Sequence, residues 1–144
     1  MIPTLVFDIE TIPDTDGLRR LLDLPSDTSA EDVANVAFHQ RRQQNGSEFL
    51  ALQHHRVVAI SCVLRDSNGF RVWSLGSPDE PEGQLIQRFY DGIERYTPNL
   101  VSWNGNGFDL PVLHYRGLIH QVHAARKQPS PDQSVDSKSR HHSY

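Results

Sequence analysis

The chain has 144 residues, 37% of them hydrophobic, with a net charge of -4 and a mean hydropathy of -0.54, which is the size and polarity of a single soluble domain. It contains no run of eighteen apolar residues that would suit a membrane span, and Met1-Ile2-Pro3-Thr4 lacks the basic-then-apolar layout of a secretory signal. Cys62 is the lone cysteine, which excludes a disulfide scaffold or a cysteine-based zinc site and fits a buried small side chain in a reducing cytoplasm.

Charge is distributed unevenly. Residues 1–125 carry ten arginines and no lysine against sixteen acids, whereas residues 126–144 carry four basic residues against two acids. An acidic body does not grip nucleic acid by bulk positive charge, but bound divalent cations can supply the charge that meets a phosphate.

Thr4–Ile9 (TLVFDI) is apolar until it ends in acid and reads as a buried strand. Leu18, Leu21 and Leu22 follow Asp16, a candidate N-cap, at helical spacing. Thr28-Ser29-Ala30-Glu31 fits a capping box that opens a helix to about Gln43, and Asn45-Gly46 ends it. Residues 48–55 suggest a further short helix. Arg56–Leu64 (RVVAISCVL) is a second core strand, Asp66–Gly69 a tight turn, and Phe70–Leu75 the returning strand of a hairpin. After a loop at Pro78–Gly83, the stripe Leu85, Ile86, Phe89, Ile93 and Tyr96 marks a helix. That helix is long enough to bring a fourth strand, Asn99–Trp103, back parallel to the first. Asn104–Gly107 is then a turn, and Asp109-Leu110-Pro111 opens a last helix to about His120. Residues 126–144 hold five serines and no aliphatic side chain larger than alanine except Val135, a composition expected to be disordered. The domain reading is therefore an incomplete domain over 1–125 with a disordered 126–144 tail that is foreign to it.

Asp8 and Glu10 stand two apart at the end of a strand, so the two-residue period puts both carboxylates on one face. Neighbouring acids of this kind repel unless a cation lies between them, and hard divalent cations take oxygen ligands. Alone, the pair is equally an ordinary solvated strand end. Asp109 follows the fourth strand, and if that strand lies beside the first, both emerge at one edge of the sheet. Its plain alternative is helix capping, because Asp suits an N-cap and Pro111 falls in the first turn. Trp73, Trp103, Phe89 and Phe108 read as core rather than as stacking platforms, and the histidines lack a zinc-like spacing.

Two segments are specific enough to name a family. Phe7-Asp8-Ile9-Glu10-Thr11 resembles the first motif of the DEDD exonucleases. Asn104-x-x-x-Phe108-Asp109-x-Pro111 resembles the second, in the form found in proofreading domains of family-B DNA polymerases. FDIETIPD followed by HHRVVAIS is similar to the small stand-alone bacterial relatives of those domains, over residues 3 to 125. The resemblance implies an α/β, ribonuclease-H-like mixed sheet with flanking helices, the first strand lying between the second and fourth. It implies 3′–5′ hydrolysis of terminal phosphodiesters on single-stranded nucleic acid, DNA more than RNA, with two Mg²⁺ or Mn²⁺ ions held by Asp8, Glu10 and Asp109. It also implies that Thr11 and Ile12 line the terminal-nucleotide pocket, and that Asn104 and Phe108 support or touch substrate.

The family's third motif, Tyr-x-x-x-Asp or His-x-x-x-x-Asp, supplies a fourth carboxylate. The acids after Asp109 are Asp132 and Asp136, preceded at four residues by Gln128 and Asp132 and at five by Lys127 and Pro131, so neither form is met. A last strand and helix have no counterpart either. Two further expectations therefore stand beside exonuclease activity: an inactive remnant that binds metal and nucleic acid, and a fragment without function.

Overall fold

The computed structural model describes residues 1–124 and shows a ribonuclease-H-like α/β fold built on a mixed sheet. Its strands are β1 (Thr4–Pro13), β2 (His55–Asp66), β3 (Gly69–Leu75) and β4 (Asn99–Val101), in the order β3-β2-β1-β4. β1 pairs antiparallel with β2 and parallel with β4, as the connection lengths imply. The helices are α1 (Thr15–Leu21), α2 (Ala30–Asn45), α3 (Glu82–Tyr96) and α4 (Leu110–Ile119). The tail reading for 126–144 lies outside the described residues.

β1 alternates strictly. Leu5, Phe7 and Ile9 are buried, while Val6, Asp8 and Glu10 are exposed on the opposite face. Among the described residues the strand is thus covered on one side, not both. Across the covered face, Leu5, Phe7 and Ile9 pair with Leu64, Cys62 and Ile60, and α3 supplies Leu85, Ile86 and Phe89 above them. The rings of Phe7 and Phe89 meet at 5.0 Å, and α4 adds Val112 and Leu113 to the same core. Each such side chain contributes about 1.5–3 kcal/mol of gross burial. Burial also pushes the Cys62 thiol up to about 11, as expected of an inert structural cysteine.

On the uncovered face, register places Val101, Val6, Val63 and Val72 in one row across all four strands. Val72 is 76% exposed, and Phe70 two residues away is 71% exposed.

Several local expectations shift. Asp14, not Asp16, caps α1, its carboxylate accepting from Gly17 N–H at 3.1 Å. The box at α2 is Ser29 with Asp32, one residue later than Thr28 with Glu31, because the Ser29 hydroxyl accepts from the Asp32 N–H and donates to its carboxylate. The short helix expected over residues 48–55 is a single 3-10 turn at Leu52–His54. β4 stops at Val101, so Trp103 lies in a turn, 90% exposed, rather than in the core. α1 and α2 build their own small cluster from Leu18, Val33, Ala37 and Leu50. Glycine is required at position 76 (φ 110°), where a Cβ would meet the Val58 carbonyl at 2.4 Å.

Candidate active site

The C-terminal half of β1 carries the first group of candidate residues. Asp8 faces Ser61 and Glu10 faces Ala59 on β2, both acids projecting from the open face of the sheet. Directly after Glu10 the register slips by one residue on β2, so that Thr11 pairs with Val57. Such a bulge re-aims the side chains that follow it. Thr11 is half-buried, and its Oγ1 lies 3.2 Å from the His55 Nδ1. The other ring nitrogen, Nε2, is 3.2 Å from the Leu50 carbonyl, which can only accept. Nε2 is therefore the protonated nitrogen, and in the neutral His55 ring Nδ1 accepts from the Thr11 hydroxyl. Burial holds its pKa below the usual histidine value, with the Leu50 carbonyl opposing.

The second group follows β4. Because Val101 pairs with Val6 in parallel, Ser102 to Asn104 leave the sheet beside the point where β1 reaches Asp8. The chain then makes a π-helical turn, Gly105–Asp109, closed by the Asn104 carbonyl, which accepts from the N–H groups of Gly107 and Phe108. A Cβ on Gly107 would lie 2.5 Å from the Asn104 side-chain oxygen, so that glycine is what lets the Asn104 amide fold over the turn. Phe108 packs edge-on to His55 (centroids 5.0 Å) and at 5.8 Å from Phe49. Since His55 pairs with Pro13 and bonds Thr11, Phe108 is anchored at the same end of β1 as the acids.

Asp109 is 3% exposed at the head of α4, and its side chain makes no capping bond there. Asp109 thus stands at the N-cap position that its plain alternative gave it, without the side-chain bond of a cap. Nearby in sequence, the buried Ser102 hydroxyl has no hydrogen-bond partner among the described residues. The carboxylates of Asp8 and Glu10, with a buried acid and an unpaired hydroxyl on the adjoining strand exit, match in kind the donors a hard cation takes. Their arrangement is open. Among the described residues no three His, Cys, Asp or Glu side chains gather at one metal-sized point. Asp8 and Glu10 share the uncovered face, whereas Asp109 is buried at the head of a helix that packs into the core.

Ile12, 46% exposed, and Thr11 line a shallow cleft of about 350 Å³ with Pro13, Phe38, Phe49 and His55. Phe38, Phe49 and His55 were not singled out from sequence. His55 carried one available signal, its place at the start of β2 opposite the end of β1. Asn104 is exposed on the turn and does not line this cleft.

A mixed 3-2-1-4 sheet, with its first strand between the second and the fourth, is a ribonuclease-H-like scaffold, here with acids on the first strand and after the fourth. Residues 47–144, more than half of the chain, match the family model of predicted 3′–5′ exonucleases related to the exonuclease domain of PolB, and the chain belongs to that family. Asn104–Pro111 lies inside the matched span, and Phe7–Thr11 lies ahead of it. No curated protein matches the chain. No helix among the described residues is long and apolar enough to cross a membrane.

Proposed function

We propose that the chain is a divalent-metal-dependent 3′–5′ exonuclease domain acting on single-stranded ends, DNA in preference to RNA. The observation that carries this reading is the pairing of β1 with β4 in parallel, which sends the Asp8–Glu10 strand and the Asp109 loop out of the same edge of the sheet. Asp8 and Glu10 would hold Mg²⁺ or Mn²⁺, with Asp109 as the third carboxylate. Bound cations supply activation of water for in-line attack and stabilisation of charge on the departing 3′ oxygen.

The chain's own residues do the rest. The cleft beyond Glu10 receives the terminal nucleotide, with Ile12 and Phe49 offering apolar contact to its base. Thr11, its hydroxyl hydrogen engaged by His55, leaves its oxygen lone pairs and backbone to orient the sugar. Phe108 wedges the Asp109 turn against this cleft.

A second reading, a domain that binds metal and nucleic acid with little cleavage, is favoured by one observation: the three acids do not gather at one point among the described residues. Digestion of a 5′-labelled single-stranded DNA with Mg²⁺ or Mn²⁺ decides between them. Metal-dependent shortening from the 3′ end that disappears in Asp8→Ala supports the enzyme. Retained, metal-dependent binding of the oligonucleotide without shortening supports the binding domain.

A further inference from the structure

A second cleft lies on the covered side of the sheet, at its β3 edge, opposite the face that carries Asp8 and Glu10. Two rows of side chains form its walls. On β3, Arg71, Trp73 and Leu75 stand two apart and share one face, the face whose partners on β2 are the buried Leu64, Cys62 and Ile60. On α3, Arg88, Gly92 and Tyr96 stand four apart and share one side of the helix. Leu5, Cys62 and Leu64 make the floor. The space between is about 300 Å³, the lower end of the range for small-molecule sites.

Gly92 makes the notch in the helical wall. A Cβ placed there would meet nothing within 4 Å, and Gly92 is not among the glycines with positive φ, so neither packing nor conformation asks for glycine. Inside a helix it is a weaker choice than alanine. Its effect is to leave a gap of one side chain between Arg88 and Tyr96. The groups around that gap are arginines and aromatic rings. Arg71 and Arg88 are the charged residues lining the cleft and none is acidic, on a chain whose net charge is -4. Each guanidinium gives one nitrogen to a carboxylate, Arg71 to Asp66 at 2.6 Å and Arg88 to Glu80 at 2.7 Å. Both side chains are more than half exposed, so their other N–H groups face solvent. The Arg71 guanidinium also lies 5.2 Å from the centre of the Tyr96 ring, with that of Arg95 at 5.3 Å. Trp73 and Tyr96 are half-buried, and each ring keeps an open surface.

We propose that this cleft binds a small amphipathic anion, an aromatic carboxylate or aromatic phosphate. Its flat apolar body lies against Trp73 and Tyr96, and its anionic oxygens take N–H groups of Arg71 and Arg88. Arginine suits that head because its planar fork meets carboxylate and phosphate oxygens two at a time. The apolar floor gives a bare inorganic anion nothing in exchange for its hydration, so the ring system is needed as well as the charge. The site is independent of the exonuclease reading, since Leu5, its one residue on β1, is buried on the side of the strand away from the acids.

Binding is measured on the full chain by isothermal titration calorimetry with probes that share one fused-ring body: 2-naphthoate, 2-naphthyl phosphate and the neutral 2-naphthalenemethanol. Both anions should bind, and the neutral alcohol on the order of 10-fold more weakly. Arg71→Gln and Arg88→Gln should each raise the Kd of the anions roughly 10-fold. Gly92→Leu fills the notch and should abolish binding, while its Tm stays at or above that of the wild type because leucine is the better helix former. Loss of binding without loss of stability is a result that damage to the fold would not give. In a Trp103→Phe background Trp73 is the sole tryptophan, and its indole N–H resonance should move as either anion is added. The tighter of the two anions assigns the headgroup. If Gly92→Leu melts below the wild type, the arginine variants decide. No binding of either anion by the wild type overturns the proposal. Equal affinity for the neutral alcohol, or unchanged affinity in both arginine variants, overturns the anionic head and the proposal with it. Wild-type affinity in a stable Gly92→Leu places the probes on other apolar surface and overturns it equally.

Discussion

Glu82 and Arg116 form a two-pronged pair whose side chains are each 3% exposed, and the pair closes the seam between α3 and α4. Burying both charges is worthwhile only because every prong is matched. The guanidinium spends four N–H bonds on Glu82, Asp14 and Gln53, and the carboxylate also takes the Val57 N–H and meets His120. Asp14 shows the balance directly: burial raises its carboxyl, but bonds from Arg116 and the Gly17 N–H, with the Arg116 charge, bring it below the ordinary value.

Removing one member should therefore cost far more than removing the pair. Glu82→Ala leaves a buried guanidinium short of its main partner and should lose about 3–5 kcal/mol in urea unfolding. A Glu82→Leu, Arg116→Met double variant should recover much of that loss, because apolar replacement of a whole buried pair is often neutral. A double variant as unstable as the sum of its singles would show that the two residues act independently.

Histidine titration should make stability fall on mild acidification. Burial lowers the pKa of His55, and of His54 with the Arg116 and His55 charges assisting and Asp14 opposing. A depressed value in the folded state means that the unfolded chain binds more protons in this range. The contribution is then fully present above the unfolded value of about 6.5 and is lost as pH falls through the lower folded values. Tm should drop between pH 7.5 and 5.5, and His54→Gln with His55→Gln should flatten that slope. Asp14 acts in a lower window, its contribution being present above the ordinary carboxylate value and lost as pH falls below it.

The covered half of this fold was legible in the sequence because period carries burial. The stripe of α3 and the alternation of the hairpin gave element type, order and even the parallel return of β4. Caps were legible only to within a residue or two. Asp14 and Asp16 suit a first turn equally by type, and the choice depends on Asp14 also reaching Arg116, 102 residues away. Trp103 was misplaced for a related reason: an apolar residue next to a strand reads as core unless the strand's end is known. Phe49 and His55 entered the cleft through a register slip and a loop path, neither of which leaves a composition signal. The buried cluster was invisible, since single residues on four elements form no pattern until the fold brings them together.

The uncovered sheet face should be sticky. The Val101–Val6–Val63–Val72 row and Phe70 present apolar surface of the kind that promotes association. Val72→Lys with Phe70→Lys should lower binding of an apolar dye and reduce concentration-dependent light scattering, with little effect on Tm because both side chains are already solvated. Undiminished dye binding would place the exposed apolar surface elsewhere.

Metal should stabilise the wild type and leave an Asp8 variant almost unchanged. Asp8 and Glu10 project side by side from one face of β1, and without a cation their charges repel. Asp8→Asn removes that repulsion and keeps the shape, so the metal-free variant should melt slightly above the metal-free wild type. Adding Mg²⁺ or Mn²⁺ should raise the wild-type Tm, because ligand bound only by the folded state stabilises by RT ln(1 + [L]/Kd), about 2.7 kcal/mol at one hundred times Kd. The variant has lost one of the proposed carboxylate ligands and should gain almost nothing, so the order of the two melting temperatures should reverse as metal is titrated in. Differential scanning calorimetry across a metal series checks this without reference to nuclease activity. An equal rise in both proteins would place the cation at a site that does not use Asp8. A lower metal-free Tm in Asp8→Asn would mean that the Asp8 charge is already compensated by the protein, which removes the electrostatic reason for a cation at this edge of the sheet.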